Sequence, residues 1–118
     1  MTRVYYNKLI RDKIPAKIKD KGSDLETRVL SDEEFEKELM NKVLEEASEL
    51  TEAFSREELV SELGDVIDVL DEIKALKNIS DEELSAAREE SNARKGGFKE
   101  RLFLVWSSDD NYKKSSKE

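Results

Sequence analysis

The chain has 118 residues, a formal net charge of −8, and neither cysteine nor histidine. Its length allows one domain, and the missing residue types exclude disulfides, thiolate or imidazole metal sites and Ser-His-Asp or Cys-His catalysis. The acidic balance argues against binding to duplex nucleic acid, which requires a cationic surface. Since no apolar run approaches a membrane span and the first residues lack the core of a signal peptide, we expect a cytoplasmic protein without membrane contact.

The N-terminal segment combines a short apolar stretch, an expected helix and a cluster of cations. Residues 4–6 are interpreted as a strand or an extended arm, and a helix follows with Asp12 as its N-cap and Gly22 as its stop. Three cations lie near the start of this helix: Lys8, Arg11 and Lys13. Taken alone they are ordinary surface charge, but near a helix N-terminus they also suit a phosphate-binding patch.

Three serine-glutamate pairs at capping-box spacing, each followed by an amphipathic run, predict three further helices. The pairs are Ser31 with Glu34, Ser55 with Glu58, and Ser80 with Glu83, and the predicted helices cover 32–54, 56–77 and 81–94. The link between the first two is so short that they should form an antiparallel hairpin.

Two β-rich segments, at 25–30 and 102–106, predict short strands that could pair with each other. The fold class we expect is therefore mainly α, a helical-hairpin bundle with one or two short peripheral strands. Residues 1–106 should form a single domain, with a polar, disordered tail over 107–118.

Two acidic clusters lie on the apolar stripes of the hairpin. Glu46 and Glu49 are one turn apart on the first helix, and Glu62 and Asp65 are one turn apart on the second. Buried between helices, four carboxylates would repel one another unless they took up protons or bound a divalent cation. Oxygen ligands favour Mg²⁺, Mn²⁺ or Ca²⁺, and of these we expect Mg²⁺, with Mn²⁺ as an alternative.

A plainer interpretation of the acidic clusters stays open, because 29 of the 118 residues are acidic. In that interpretation Glu45, Glu49 and Glu62 line the rims of the stripe, solvated and paired with Lys42 or Arg56. Gly64, between Glu62 and Asp65, gives up helix propensity and could permit close approach of a second helix.

The two acidic motifs resemble those of the all-α nucleoside triphosphate pyrophosphohydrolases, a superfamily that includes MazG, the dimeric dUTPases and phosphoribosyl-ATP pyrophosphohydrolase. The motifs are EExxE over 45–49 and ExxD over 62–65. The segments 6–15 and 94–98 resemble a sub-branch described as phosphoribosyl-ATP pyrophosphohydrolase-like and predicted to be house-cleaning enzymes. The resemblance covers about residues 5–106.

This resemblance implies Mg²⁺-dependent cleavage of a nucleoside triphosphate between the α and β phosphates, giving monophosphate and pyrophosphate. It implies metal ligands at Glu46, Glu49, Glu62 and Asp65. Catalytic roles fall to Glu45 and Glu46, with Glu45 orienting or deprotonating the attacking water. The basic residues implied to hold phosphates are Lys8, Arg11, Lys13, Arg94 and Lys95. Family members assemble as dimers or tetramers, which implies a homodimer or homotetramer here.

One departure from the family narrows the expected role. Phosphoribosyl-ATP pyrophosphohydrolases of histidine synthesis usually carry a histidine near the second motif, and this chain has none. We therefore expect house-cleaning of modified or surplus nucleotides. Two alternatives remain: a non-catalytic helical interaction module, and a nucleotide-binding regulator that keeps the metal site without turnover.

Overall fold

Four helices make up the regular secondary structure of residues 2–111, which are the residues described by this computed structural model. They are α1 (Ile14–Asp20), α2 (Asp32–Thr51), α3 (Arg56–Leu76) and α4 (Asp81–Lys95). The three helices predicted from capping boxes are confirmed, with ends within three residues of their predicted positions. The chain divides into two compact units, Met1–Asn78 and Ile79–Glu118. Within the described residues, no helix has the length and apolar character needed to cross a membrane.

The serine caps begin α2, α3 and α4. In each helix the serine hydroxyl accepts a hydrogen bond from the backbone N–H three residues later. Only at Ser31 is the reciprocal bond of a capping box also present, from the Ser31 N–H to Glu34. At the start of α3, the Glu58 carboxylate instead accepts from the Phe54 N–H at 3.0 Å. The caps therefore satisfy backbone donors that a helix start leaves without partners.

Glu34 also gives the hairpin a dependence on pH. The Arg28 guanidinium, 2.7 Å away, and the Ser31 N–H lower the pKa of Glu34 from 4.5 to about 2. Because its folded pKa lies below its unfolded pKa, Glu34 contributes stability above about pH 4.5, and the contribution disappears as pH falls toward 2.

We therefore expect Glu34→Gln to lower the melting temperature at pH 7 and to leave it unchanged near pH 2. Thermal unfolding followed by circular dichroism between pH 2 and pH 7 measures this difference. Glu33→Gln is the control, since it removes a charge from the same first turn without the bonds to Ser31 and Arg28. A Glu34→Gln deficit that is constant across this pH range would contradict the assignment.

Helix α1 differs from its predicted start. It begins at Ile14 with Lys13 at the N-cap and no side-chain cap bond, so the predicted Asp12 cap is wrong. Pro15 supplies the start instead, since it is well tolerated in the first turn. The predicted stop at Gly22 is confirmed: Gly22 has φ of +82°, and its N–H and that of Ser23 bond back to carbonyls of the last turn.

Helices α2 and α3 pack against each other as an antiparallel hairpin, as predicted. Among the described residues, the buried hydrophobic side chains are Leu39 on α2 and Val69 on α3. An ion pair between Lys77 and Glu36 joins the end of α3 to the start of α2. Phe54 is the last residue of the predicted helix 32–54, but it lies beyond the end of α2 and is 96% exposed.

The apolar surface of the hairpin is larger than its core. Seven large side chains are between 43% and 72% exposed: Met40, Leu44, Leu59, Val60, Leu63, Ile67 and Leu70. We call this set the outer apolar face. At about 100° per residue, Met40 lies half a turn around α2 from Glu49 and Ile67 lies about 140° around α3 from Glu62, but Leu59 lies only about 60° from Glu62. The outer apolar face therefore points away from the carboxylates on α2 and extends toward Glu62 on α3.

Gly64 does not mediate a close helix approach. A Cβ built at Gly64 meets no atom within 4 Å, so the predicted role of this glycine in packing is wrong. Gly64 therefore only lowers the helix propensity of the interior of α3.

Gly64→Ala is accordingly expected to stabilise the protein by about 0.5–1 kcal/mol, because alanine restricts the unfolded chain and favours helix. Chemical denaturation measures this free energy. Gly22→Ala is a matched control with the opposite expected sign, since Gly22 also has open space around it but has a positive φ. A destabilised Gly64→Ala protein would show that another surface covers this part of α3.

The predicted strands at 25–30 and 102–106 are wrong, since residues 2–111 contain no strand. Both segments are irregular, and the side chains of 102–106 are exposed. β-Propensity expresses how well a side chain fits a paired, half-buried surface, and neither segment finds a pairing partner among the described residues. Most of the predicted tail, 112–118, lies outside the described residues.

Candidate metal centre

Three carboxylates from two helices converge in the hairpin. Glu46 and Glu49 come from successive turns of α2, and Glu62 comes from α3. One oxygen of each lies within 4.8 Å of the others, a grouping that can hold a metal ion. The short link between α2 and α3 places Glu62 opposite the last turns of α2. Three of the four predicted metal ligands are thus brought together.

Two oxygens of this cluster are buried without a hydrogen-bond partner among the described atoms. They are Oε2 of Glu46 and Oε2 of Glu62. Glu46 is only 8% exposed, and no other described polar residue is buried. A buried carboxylate oxygen without a partner costs free energy, so native proteins rarely keep one without a compensating group.

Burial shifts the pKa values of two carboxyl groups in the cluster. Burial raises the pKa of Glu46 above its ordinary value, and the neighbouring charge of Glu49 raises it further. Burial also raises the pKa of Glu62, with added repulsion from Glu49 and Asp65. These carboxylates therefore lack sufficient positive charge nearby, which a divalent cation would supply.

Glu45 lies at the edge of the cluster in a different environment. Lys8 and Lys42 each approach one of its oxygens at 3.1 Å. Burial raises the pKa of Glu45, but the hydrogen bonds from Lys42 and Lys8 outweigh it, and the net effect is a lowered pKa. Glu45 is thus held ionised and oriented. The pairing of Lys42 with Glu45 is the one that the plainer interpretation expects, and Lys42 also lies 3.7 Å from Glu46.

The fourth predicted ligand, Asp65, is bound by a cation. Arg11 Nη2 lies 2.9 Å from Asp65 Oδ1 and 2.9 Å from Asp68 Oδ2. Asp65 and Asp68 are one turn apart on α3, so one guanidinium can reach both. Asp65 is not among the three carboxylates that converge, although its charge acts on Glu46 and Glu62.

The sequence did not predict that Lys8 and Arg11 contact the carboxylates. Lys8 and Glu45 are 37 positions apart in the sequence, and Arg11 and Asp65 are 54 positions apart. Local periodicity carries no information about pairs at such separations. The one available signal was the concentration of cations in an acidic chain, which the sequence interpretation assigned to phosphates.

The remaining predicted basic residues lie elsewhere. Lys13 is the N-cap of α1 and makes no ion pair with the residues the structure describes. Arg94 and Lys95 belong to the second unit, in the last turn of α4, where Arg94 pairs with Glu90 at 2.9 Å. Gly96 follows with φ of +77° and ends α4.

The donor set fits a hard divalent cation. All the converging atoms are carboxylate oxygens, which suit Mg²⁺ and Mn²⁺, and two oxygens of the same carboxylates are buried without a partner among the described atoms. No family model, curated protein sequence or solved structure matches the chain.

Proposed function

We propose that this protein is a Mg²⁺-dependent nucleoside triphosphate pyrophosphohydrolase of the MazG-like type, cleaving between the α and β phosphates. The observation that carries the proposal is the buried Oε2 of Glu46, which has no partner among the described atoms and lies within a three-carboxylate cluster. The resemblance of the two acidic motifs to that superfamily supplies the reaction. House-cleaning of modified or surplus nucleotides in the cytoplasm is the corresponding role.

In this proposal Glu46, Glu49 and Glu62 hold the cation, and Asp65 completes the set. A bound Mg²⁺ or Mn²⁺ would offset phosphate charge and lower the pKa of an attacking water. Glu45 then orients this water or accepts its proton, which requires an ionised carboxylate. The lysines beside Glu45 keep it ionised at neutral pH.

The phosphate-binding role proposed for Lys8, Arg11 and Lys13 is supported by their charge near the carboxylate cluster or near the start of α1. Cations of this kind would bind the distal phosphates and favour the leaving pyrophosphate. The same role for Arg94 and Lys95 depends on the sequence resemblance alone.

The decisive experiment measures pyrophosphate release from a panel of ribo-, deoxyribo- and modified nucleoside triphosphates, with Mg²⁺ and with EDTA. We expect pyrophosphate and monophosphate in equal amounts from at least one nucleotide, and none in EDTA. Release of inorganic phosphate alone, or turnover that persists in EDTA, would overturn the proposal.

A non-catalytic role is the second candidate, favoured by the ion pairs that Lys42 makes with Glu45 and Glu46. These pairs neutralise part of the acidic charge without a metal ion, as a face without a catalytic role would require. An interaction module would bind no Mn²⁺ and release no pyrophosphate. A nucleotide-binding regulator would bind both metal and triphosphate without turnover.

We also propose that the protein is a homo-oligomer, with a homodimer as its basic unit, formed through the outer apolar face. Large exposed apolar patches on a monomer often mark an interaction surface. The hairpin exposes seven large apolar side chains, while the buried hydrophobic side chains among the described residues are only Leu39 and Val69. Pairing two hairpins through this face would give a four-helix core.

A second copy suits this face better than an unrelated partner. A hairpin with so small a core gains much of its stability from whatever covers the outer apolar face. A copy of the same chain is always present when the chain is made. A dimer whose contacts centre on Met40, Leu44 and Ile67, which lie about 120–180° around their helices from the clustered glutamates, would leave the carboxylate cluster accessible to substrate.

A further inference from the structure

Arg11 is placed so that it competes with a cation for Asp65. Its guanidinium lies 2.9 Å from Asp65 and from Asp68, one turn apart on α3. The Arg11 side chain is 58% exposed, and it precedes α1 in a segment without regular secondary structure. Exposed ion pairs of this kind contribute little stability, so exchanging one partner for another costs little.

The competition follows from the positions of the charges. Asp65 is the fourth proposed ligand, and its Oδ1 accepts a hydrogen bond from Arg11. An oxygen that is bound to a guanidinium is a poorer ligand for a divalent cation, and the positive charge of Arg11 repels the same cation. The buried oxygens of Glu46 and Glu62, by contrast, have no described donor to lose.

We propose, on the basis of the metal-dependent function above, that Arg11 is an exchangeable counter-cation of the site. It pairs with Asp65 and Asp68 until a triphosphate arrives, and then transfers to a phosphate oxygen, which releases Asp65 for the metal ion. Arginine forms the same forked hydrogen bonds with phosphate as with carboxylate. Metal and triphosphate binding thereby favour each other, since coupling between two ligands is reciprocal.

Arg11→Gln is expected to strengthen the binding of Mn²⁺ and to weaken the binding of a triphosphate. Without its competitor, Mn²⁺ alone should bind about threefold more tightly or better, measured by calorimetry or by electron paramagnetic resonance of free Mn²⁺. An α,β-methylene nucleoside triphosphate should bind at least about tenfold more weakly at saturating Mn²⁺, because a phosphate partner is lost. A residue with only a structural role would weaken both.

Lys17→Gln is the matched control, since it removes an equal charge from exposed α1 without touching the carboxylates. It should change neither affinity by more than the error of the measurement. Circular dichroism establishes that each variant is folded.

Mn²⁺ binding to the unaltered protein with equal or weaker binding to Arg11→Gln would overturn the role of Arg11 alone. Absence of Mn²⁺ binding to the unaltered protein would overturn the metal-dependent function and this inference with it. Tighter Mn²⁺ binding with unchanged analogue binding would overturn the transfer to phosphate.

Discussion

Glu49→Gln is expected to reduce pyrophosphate release by about 100-fold or more while the hairpin stays folded. Glu49 is one of the three converging carboxylates, and the amide is a poorer ligand for Mg²⁺ than the carboxylate it replaces. The same change removes a negative charge that raises the pKa values of Glu46 and Glu62. In EDTA, Glu49→Gln should therefore melt at the same temperature as the unaltered protein, or higher.

The measurement pairs initial rates of pyrophosphate release with thermal unfolding in Mg²⁺ and in EDTA. Glu52→Gln is the matched control, because Glu52 is the exposed C-cap residue of α2 and does not belong to the cluster. It should retain full activity. Equal rates for Glu49→Gln and Glu52→Gln would show that the cluster does not carry the reaction.

Ile67→Glu is expected to dissociate the proposed homodimer and lower its stability. Ile67 lies on the outer apolar face and is 54% exposed in the single chain, but in the dimer it would be buried against the partner hairpin. Burial of a charge without a counter-ion costs several kcal/mol. This cost is larger than the binding free energy that most single interface side chains contribute. The melting temperature of the unaltered protein should also rise with its concentration.

Light scattering coupled to size-exclusion chromatography gives the mass of each variant. Val29→Glu is the control, since Val29 is 98% exposed and lies outside the helices. It should leave the mass of the assembly unchanged. A monomeric mass for the unaltered protein, at every concentration tested, would contradict the dimer.

The helices of this protein were predictable because their signals are local. A serine cap acts within four residues, and an apolar stripe repeats within one or two turns. The predicted N-cap of α1 at Asp12 is wrong, since this helix begins without a side-chain cap bond and Pro15 supplies its start. The predicted strands at 25–30 and 102–106 are wrong because a strand requires a distant pairing partner.

The candidate metal centre was predictable to the extent that it follows from helical geometry. Residues three apart on an amphipathic helix share a side, so Glu46 and Glu49 could be placed together from spacing alone. Because the connection between α2 and α3 is short, an antiparallel hairpin was expected. This hairpin brings Glu62 close to the last turns of α2. Asp65 had the same spacing relative to Glu62, but spacing could not show that Arg11 would bind it.

By itself, the sequence determined the helices, their caps and the restriction of any metal site to oxygen ligands. Each of these follows from residue identity and from interactions within a few positions. Only the tertiary structure decided which carboxylate oxygens are buried without partners and which cations pair with the others. The buried oxygens belong to Glu46 on α2 and Glu62 on α3, and the cation pairs join Lys8 to Glu45 and Arg11 to Asp65 across 37 and 54 positions of sequence. The energies of these interactions come from burial and charge in three dimensions.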